Sequence, residues 1–235
     1  MFEKVKAGNT NYDIIMPSSY QIPAMEENGM IRPLDHKKLP NVRKNFDAHY
    51  AEIILDPSFF FSVPYSMTLT GFVYRKDKIG NAPVQSWDVF ETAAFKGRMS
   101  LLDDIRDTIG GGLKALGYSL NSTNKAEIEA AARKVLEWKR NVAELDSEQY
   151  KASVASGEWI VGHGYSSDAI QLMLKDPNIG FALPAEGFVV AFDEMVIPAG
   201  AKQPNLAHAF INFCYDPDVA AANMSAVCSP MYTAF

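Results

Sequence analysis

Residues 62–74 read SVPYSMTLTGFVY, and residues 188–198 read FVVAFDEMVIP. Each is apolar and extended for longer than one ordinary strand of about five or six residues requires. A strand of that length can leave one domain and enter another, so the two stretches predict two crossings of the chain between domains. Residues 75–187 are then a domain inserted into a discontinuous first domain, made of residues 1–74 and 188–235. A cleft between domains is where ligands usually bind.

Working outward, short apolar runs bounded by turn residues alternate with helical periodicity, which predicts an α/β protein with mostly parallel strands buried on both faces. The expected strands are Asp13–Met16, Gly71–Tyr74, Met99–Leu102, Trp159–Gly162, Gly180–Leu183 and Met195–Pro198. The clearest helix is Lys125–Lys139, capped by Ser122, Thr123 or Asn124, with Ile128, Ala132, Val135 and Leu136 as its apolar stripe. Further helices are expected at Ile22–Asn28, Trp87–Ala94, Leu113–Leu116 and Leu206–Cys214, the first three stopped by Gly29, Gly97 and Gly117 and the last entered through Pro204.

With 235 residues, 48% of them hydrophobic and 21% charged, the chain is long enough to bury a core without disulfide or metal staples. A net charge of -6 speaks against a nucleic-acid-binding surface, which needs clustered Lys and Arg. No window approaches the roughly 20 apolar residues of a membrane helix, and MFEKVKAGNT lacks the basic and apolar regions of a signal peptide.

The usual enzyme signatures fail. Gly110-Gly111-Gly112 is followed by neither Gly-Lys-Ser/Thr nor a GxGxxG fingerprint, and reads as a flexible helix entrance. Gly162-His163-Gly164-Tyr165-Ser166 has no serine where a nucleophile elbow places one, which leaves His163 a structural residue. The four histidines are far apart in sequence, and Cys214 and Cys228 form no CxxC, so neither a metal nor a cofactor is expected.

The informative residues are acidic and aromatic. Asp103, Asp104 and Asp107 follow an expected strand, at the sheet edge where open α/β folds bind ligands. Aspartates also favour the first turn of a helix, so both readings stand. Asp193 interrupts an apolar crossing, where an unpartnered carboxylate is unfavourable. It reads as a cation acceptor or as a hinge hydrogen-bonding group.

These blocks resemble the bacterial polyamine-binding proteins of ABC transporters, within the type II periplasmic binding proteins. The resemblance runs through Met1–Asp35 with YDIIMPSSY, Gly97–Asp107 with LLDDIRD, Leu116–Ala131, Trp159–Ala169, and Glu186–Lys202 with IPAGAK. It implies a two-lobed α/β fold that captures a putrescine- or spermidine-type polycation in the interlobe cleft for delivery to ABC permease subunits, outside the cytoplasm or in the periplasm. Carried over by motif, Ser18 and Tyr20 of PSSY are a polar contact and a wall. Asp104 and Asp107 are ammonium acceptors, with Arg106 as an organising partner or contact. Ser147 is a polar contact, Tyr165 of GYSSD an aromatic wall, and Asp193 of FDEMVIP an amine acceptor.

The chain departs from the pattern at Ala191, where the family often has a ring that Phe188 or Phe192 would replace, and at Val227 near Ser229-Pro230, where tyrosine is common. Aligned with the family, Met1 falls inside a helix and Phe235 precedes further helix, so the fold is expected to be truncated at both ends. The alternatives are another small cationic solute or an iron complex in the same fold, or a hydrolase or transferase using Asp104 or Asp107 as general base.

Overall fold

The computed structural model describes residues 2–6 and 11–229. Met1 and Pro230, both singled out in the resemblance, lie outside the described residues. In chain order the elements are α1 Phe2–Lys6, α2 Ile22–Glu27, α3 Pro40–Asn45, β1 Ser62–Arg75, α4 Lys76–Ile79, β2 Met99–Leu101, α5 Ile105–Ala115, α6 Lys125–Trp138, β3 Glu144–Leu145, α7 Tyr150–Ser156, β4 Val161–Tyr165, α8 Ser166–Met173, β5 Ile179–Ala182, β6 Val190–Val196, α9 Pro204–Cys214 and α10 Pro217–Val227.

The chain forms two compact units, residues 1–67 with 191–235 and residues 68–190. Both divisions fall inside a strand. The first half of β1 packs into the core of the first unit, where Val63, Leu34, Leu39, Met195, Ile197 and Ile211 are buried together with Tyr65 and Met67 against them. Its second half belongs to the second unit. There Phe72 packs with Trp87, Phe90, Leu101 and Trp138, while Val73 packs with Leu102, Tyr150, Trp159 and Ile179. Adjacent residues of a strand point to opposite faces, so β1 is buried on both sides and its sequence reads as one apolar run.

The sheet runs β3-β2-β4-β1-β5, with β6 also pairing β1. The strands expected to be mostly parallel are mixed. β2 is parallel to β3 and β4, but β1 is antiparallel to β4, with Phe72 opposite His163, and antiparallel to β5, with Phe72 opposite Ala182. A strand buried on both faces shows the same apolar pattern in either orientation, so the pattern carries no direction.

Other expectations are corrected. Asp13–Met16 is not a strand: only Ile15 pairs, exchanging N–H···O bonds of 3.1 Å with Val196. Trp87–Ala94 is not α-helical but forms short 3-10 turns, Trp87–Glu91 and Ala93–Phe95. Leu113–Leu116 is not a separate helix; it lies at the end of α5, which begins at the Asp104 cap. Gly110, Gly111 and Gly112 therefore sit inside α5 and not at a flexible entrance. A Cβ on Gly111 would lie 2.4 Å from the Trp87 ring, and one on Gly112 would lie 2.8 Å from the Ala131 carbonyl of α6. These glycines let a helix approach a tryptophan and a second helix.

On α6 the stripe that is buried is Ala131, Val135 and Trp138, whereas Ile128 and Leu136 are exposed. Of the three proposed caps, Asn124 accepts the Ala126 N–H at 3.0 Å. α9 starts at Pro204 as expected. Cys214 and Cys228 are both free.

Candidate functional site

In the second unit the first turn of α5 gathers two of the expected acceptors. Asp104 caps the helix, its Oδ1 accepting the N–H groups of Arg106 at 2.8 Å and Asp107 at 3.0 Å. Asp107 follows one turn in and is buried. Burial, reinforced by the Asp104 charge and opposed by Arg106, pushes its carboxyl up to about 7. The Arg106 guanidinium bonds the Asn121 carbonyl oxygen and pairs with neither carboxylate, so it is an exposed neighbour rather than a clamp. Of the two readings of the aspartates, the structure shows the helix start: Asp104 is the α5 cap, and it stands beside the buried Asp107 carboxyl.

Tyr165 ends β4 and meets this pair. Burial raises its hydroxyl, with Asp107 and then Asp104 adding to the shift, while the Ser147 hydroxyl beside it acts the other way. Ser147 Oγ also accepts the Asp103 N–H at 3.0 Å, tying the segment after β3 to the end of β2. The backbone of Tyr165 is held in turn: its N–H bonds the Tyr150 hydroxyl at 3.0 Å, which donates to Asp168 at 2.7 Å. Gly164 makes room for that tyrosine, since a Cβ there would lie 2.3 Å from the Tyr150 ring. Tyr150, Asp168 and Asn121 were not among the expected site residues. Asp168 was quoted in GYSSD, but nothing in the sequence pairs it with a tyrosine 18 positions earlier.

His163 is fully buried between the edges of Phe72 and Trp87, the Trp87 ring centroid at 5.1 Å. Neither ring nitrogen makes a hydrogen bond, and burial lowers it to about 3. A neutral imidazole enclosed by rings is a packing residue.

In the first unit, Ser18 and Asp193 face each other in an antiparallel bridge between the PSSY segment and β6. Asp193 is half-buried, which raises its carboxyl; the Ser66 hydroxyl donates to its Oδ2 at 3.3 Å and opposes the shift. Ser66, on β1, was missed because an isolated serine in an apolar strand has no distinguishing pattern. Tyr20, two residues beyond Ser18, is 44% exposed, and its hydroxyl accepts the Gln21 side-chain amide at 3.4 Å. A pocket of about 600 Å³ in this unit is lined by Lys4, Tyr12, Ile14, Ile15, Met16 and Phe210, and so by none of these residues.

Among the described residues no group of three or more metal-ligating side chains comes together. Asp104, Asp107 and Asp193 share a different property: none of the three forms an ion pair with a cation of the chain among those residues.

The family model for bacterial extracellular solute-binding proteins matches residues 3–229, and thus nearly all of both units and every residue of the candidate site. The chain belongs to this family. Within it, the putrescine/cadaverine-binding protein of Pseudomonas aeruginosa is 35% identical over 228 residues, 92% of this chain and 64% of that protein. The spermidine/putrescine-binding periplasmic protein of Escherichia coli is 33% identical over 221 residues, 94% of this chain and 63% of that protein. The chain thus spans less than two thirds of the length of these solute-binding relatives. The solved Tp0655 (TpPotD) lipoprotein of Treponema pallidum is similar with a TM-score of 0.88 at 32% identity, covering 97% of this chain and 72% of that one. The fold is the α/β fold of type II periplasmic binding proteins.

Proposed function

We propose that the protein binds a polyamine of the putrescine or spermidine type, without turning it over, and hands it to the permease of an ABC importer outside the cytoplasm. The observation that carries this reading is the set of carboxylates that form no ion pair among the described residues, Asp104 with Asp107 in one unit and Asp193 in the other. Buried or half-buried carboxylates are unfavourable until a counter-charge arrives, and an ammonium group supplies one. Charge-assisted hydrogen bonds of this kind contribute roughly 1.5–3 kcal/mol each. Tyr165 beside the first pair and exposed Tyr20 beside Ser18 offer ring faces to methylenes and to ammonium, the latter attraction being about 0.5–2 kcal/mol. The names of the relatives support the same class of ligand.

The roles assigned are acceptor for Asp104, Asp107 and Asp193, polar contact for Ser18 and Ser147, wall for Tyr20 and Tyr165, and ligand contact for Arg106. A general-base role for Asp104 or Asp107 is the competing reading, and it requires a nucleophile within reach of the carboxylate. Calorimetric titration with putrescine, cadaverine and spermidine, followed by analysis of the recovered amine, tests the proposal. Saturable binding with the amine unchanged is expected; absence of binding by folded protein at millimolar amine, or conversion of the amine, overturns it.

A further inference from the structure

Glu194 follows Asp193 on β6 and is used by nothing described so far. It is 1% exposed, and neither carboxyl oxygen has a hydrogen-bond partner of acceptable geometry. The Ser62 hydroxyl, at the start of β1, lies beside it and favours its charged form. The groups around Glu194 come from each element packed against it. Asp56 precedes β1 and is committed to the Ser58 hydroxyl at 2.7 Å and the N–H groups of Phe61 and Ser62 at 2.8 and 3.2 Å. Asp193 is its neighbour on β6, and Pro17 takes the Glu194 N–H at 3.0 Å through its carbonyl. The charged members of this set are both acidic, and no lysine, arginine or histidine stands among the groups acting on Glu194.

A carboxylate in such a place has no counter-charge and only the Ser62 hydroxyl beside it as a side-chain donor, so the packed state favours the neutral acid. To carry its charge the side chain must reach solvent, which means parting β6 from the strand that bears Ser62. Both strands are the segments by which the chain passes from one unit to the other. We propose that Glu194 is a pH-sensitive lock on the seam between β1 and β6, closed while its carboxyl is neutral and loosened when it ionises.

Burial, opposed by the Ser62 hydroxyl and reinforced by the Asp56 and Asp193 charges, pushes the Glu194 carboxyl up to about 7 from an ordinary 4.5. A raised carboxyl contributes stability that is fully present below its unfolded value and is lost as pH rises through the folded one. The window is therefore about pH 4.5–7, and the change falls within the range an extracytoplasmic protein meets.

The test compares wild type with Glu194→Gln, which keeps the shape and removes the titration. Between pH 5 and 8 the wild-type unfolding constant should rise relative to the variant by on the order of 50-fold. The ratio of wild-type to variant hydrogen-exchange rates at β1 and β6 amides should increase over the same range, intrinsic exchange cancelling in the ratio. If Glu194→Gln does not fold, a carbon-13 titration of the Glu194 carboxyl in the wild type decides. Parallel pH profiles, or a carboxyl midpoint in the ordinary glutamate range, overturn the proposal; divergence of the profiles or a midpoint near neutrality supports it.

Discussion

Asp104 accepts the backbone N–H of Asp107 at 3.0 Å while its charge helps to raise the Asp107 carboxyl. One aspartate thus starts α5 and also makes its neighbour reluctant to ionise alone.

Proton and ammonium should compete at Asp107. With the carboxyl held near 7 in the free protein, an arriving ammonium must displace a proton at pH 6 but finds an anion at pH 8. Affinity for putrescine should increase roughly tenfold over this interval, in which its amines stay charged. Asp107→Asn should bind more weakly and lose most of that slope. Titrations at pH 6, 7 and 8 check both; an equal slope in the variant would assign the proton elsewhere.

Asp193→Asn keeps the shape of the acceptor and removes its charge, so binding should weaken by about 1 kcal/mol or more. Ser66→Ala removes only the 3.3 Å donor and should have the smaller effect. If Asp193→Asn leaves the affinity of folded protein unchanged, Asp193 is outside the amine site.

Tyr165→Phe keeps the ring and should be tolerated, while Tyr165→Leu should weaken binding several-fold if stacking and cation–π attraction matter. A Tyr165→Leu protein with lowered thermal stability and wild-type affinity would make this ring a packing residue.

Gly111→Ala would ordinarily strengthen a helix interior by about 0.5–1 kcal/mol. Here the added methyl meets the Trp87 ring at 2.4 Å, so a net loss of about 1–3 kcal/mol is expected from overpacking. Thermal or urea unfolding measures it, and a stabilised variant would show that the tryptophan moves aside at little cost.

Much was legible from particular residues. The runs at 62–74 and 188–198 announced the two long strands because a strand buried by different neighbours along its length needs apolar residues throughout. YDIIMPSSY, LLDDIRD and IPAGAK pointed to the family, since such blocks combine turn, cap and contact residues in an order that composition alone would not produce. Asp104 was readable as a cap, because capping involves groups only two or three residues away.

Local information also has a limit. Whether β1 runs parallel or antiparallel to β4, whether Ile128 or Ala131 of α6 meets the core, and whether three glycines loosen a helix or admit Trp87 depend on what lies opposite. Each of those partners is distant in sequence, and periodicity names a buried face without naming its occupant. The same holds for the carboxyls. The sequence by itself determined the α/β class, the family and the strands at 62–75 and 190–196. Only tertiary structure decided that Asp107 and Glu194 are buried and form no ion pair among the described residues, because burial and counter-charge are properties of the space around a side chain.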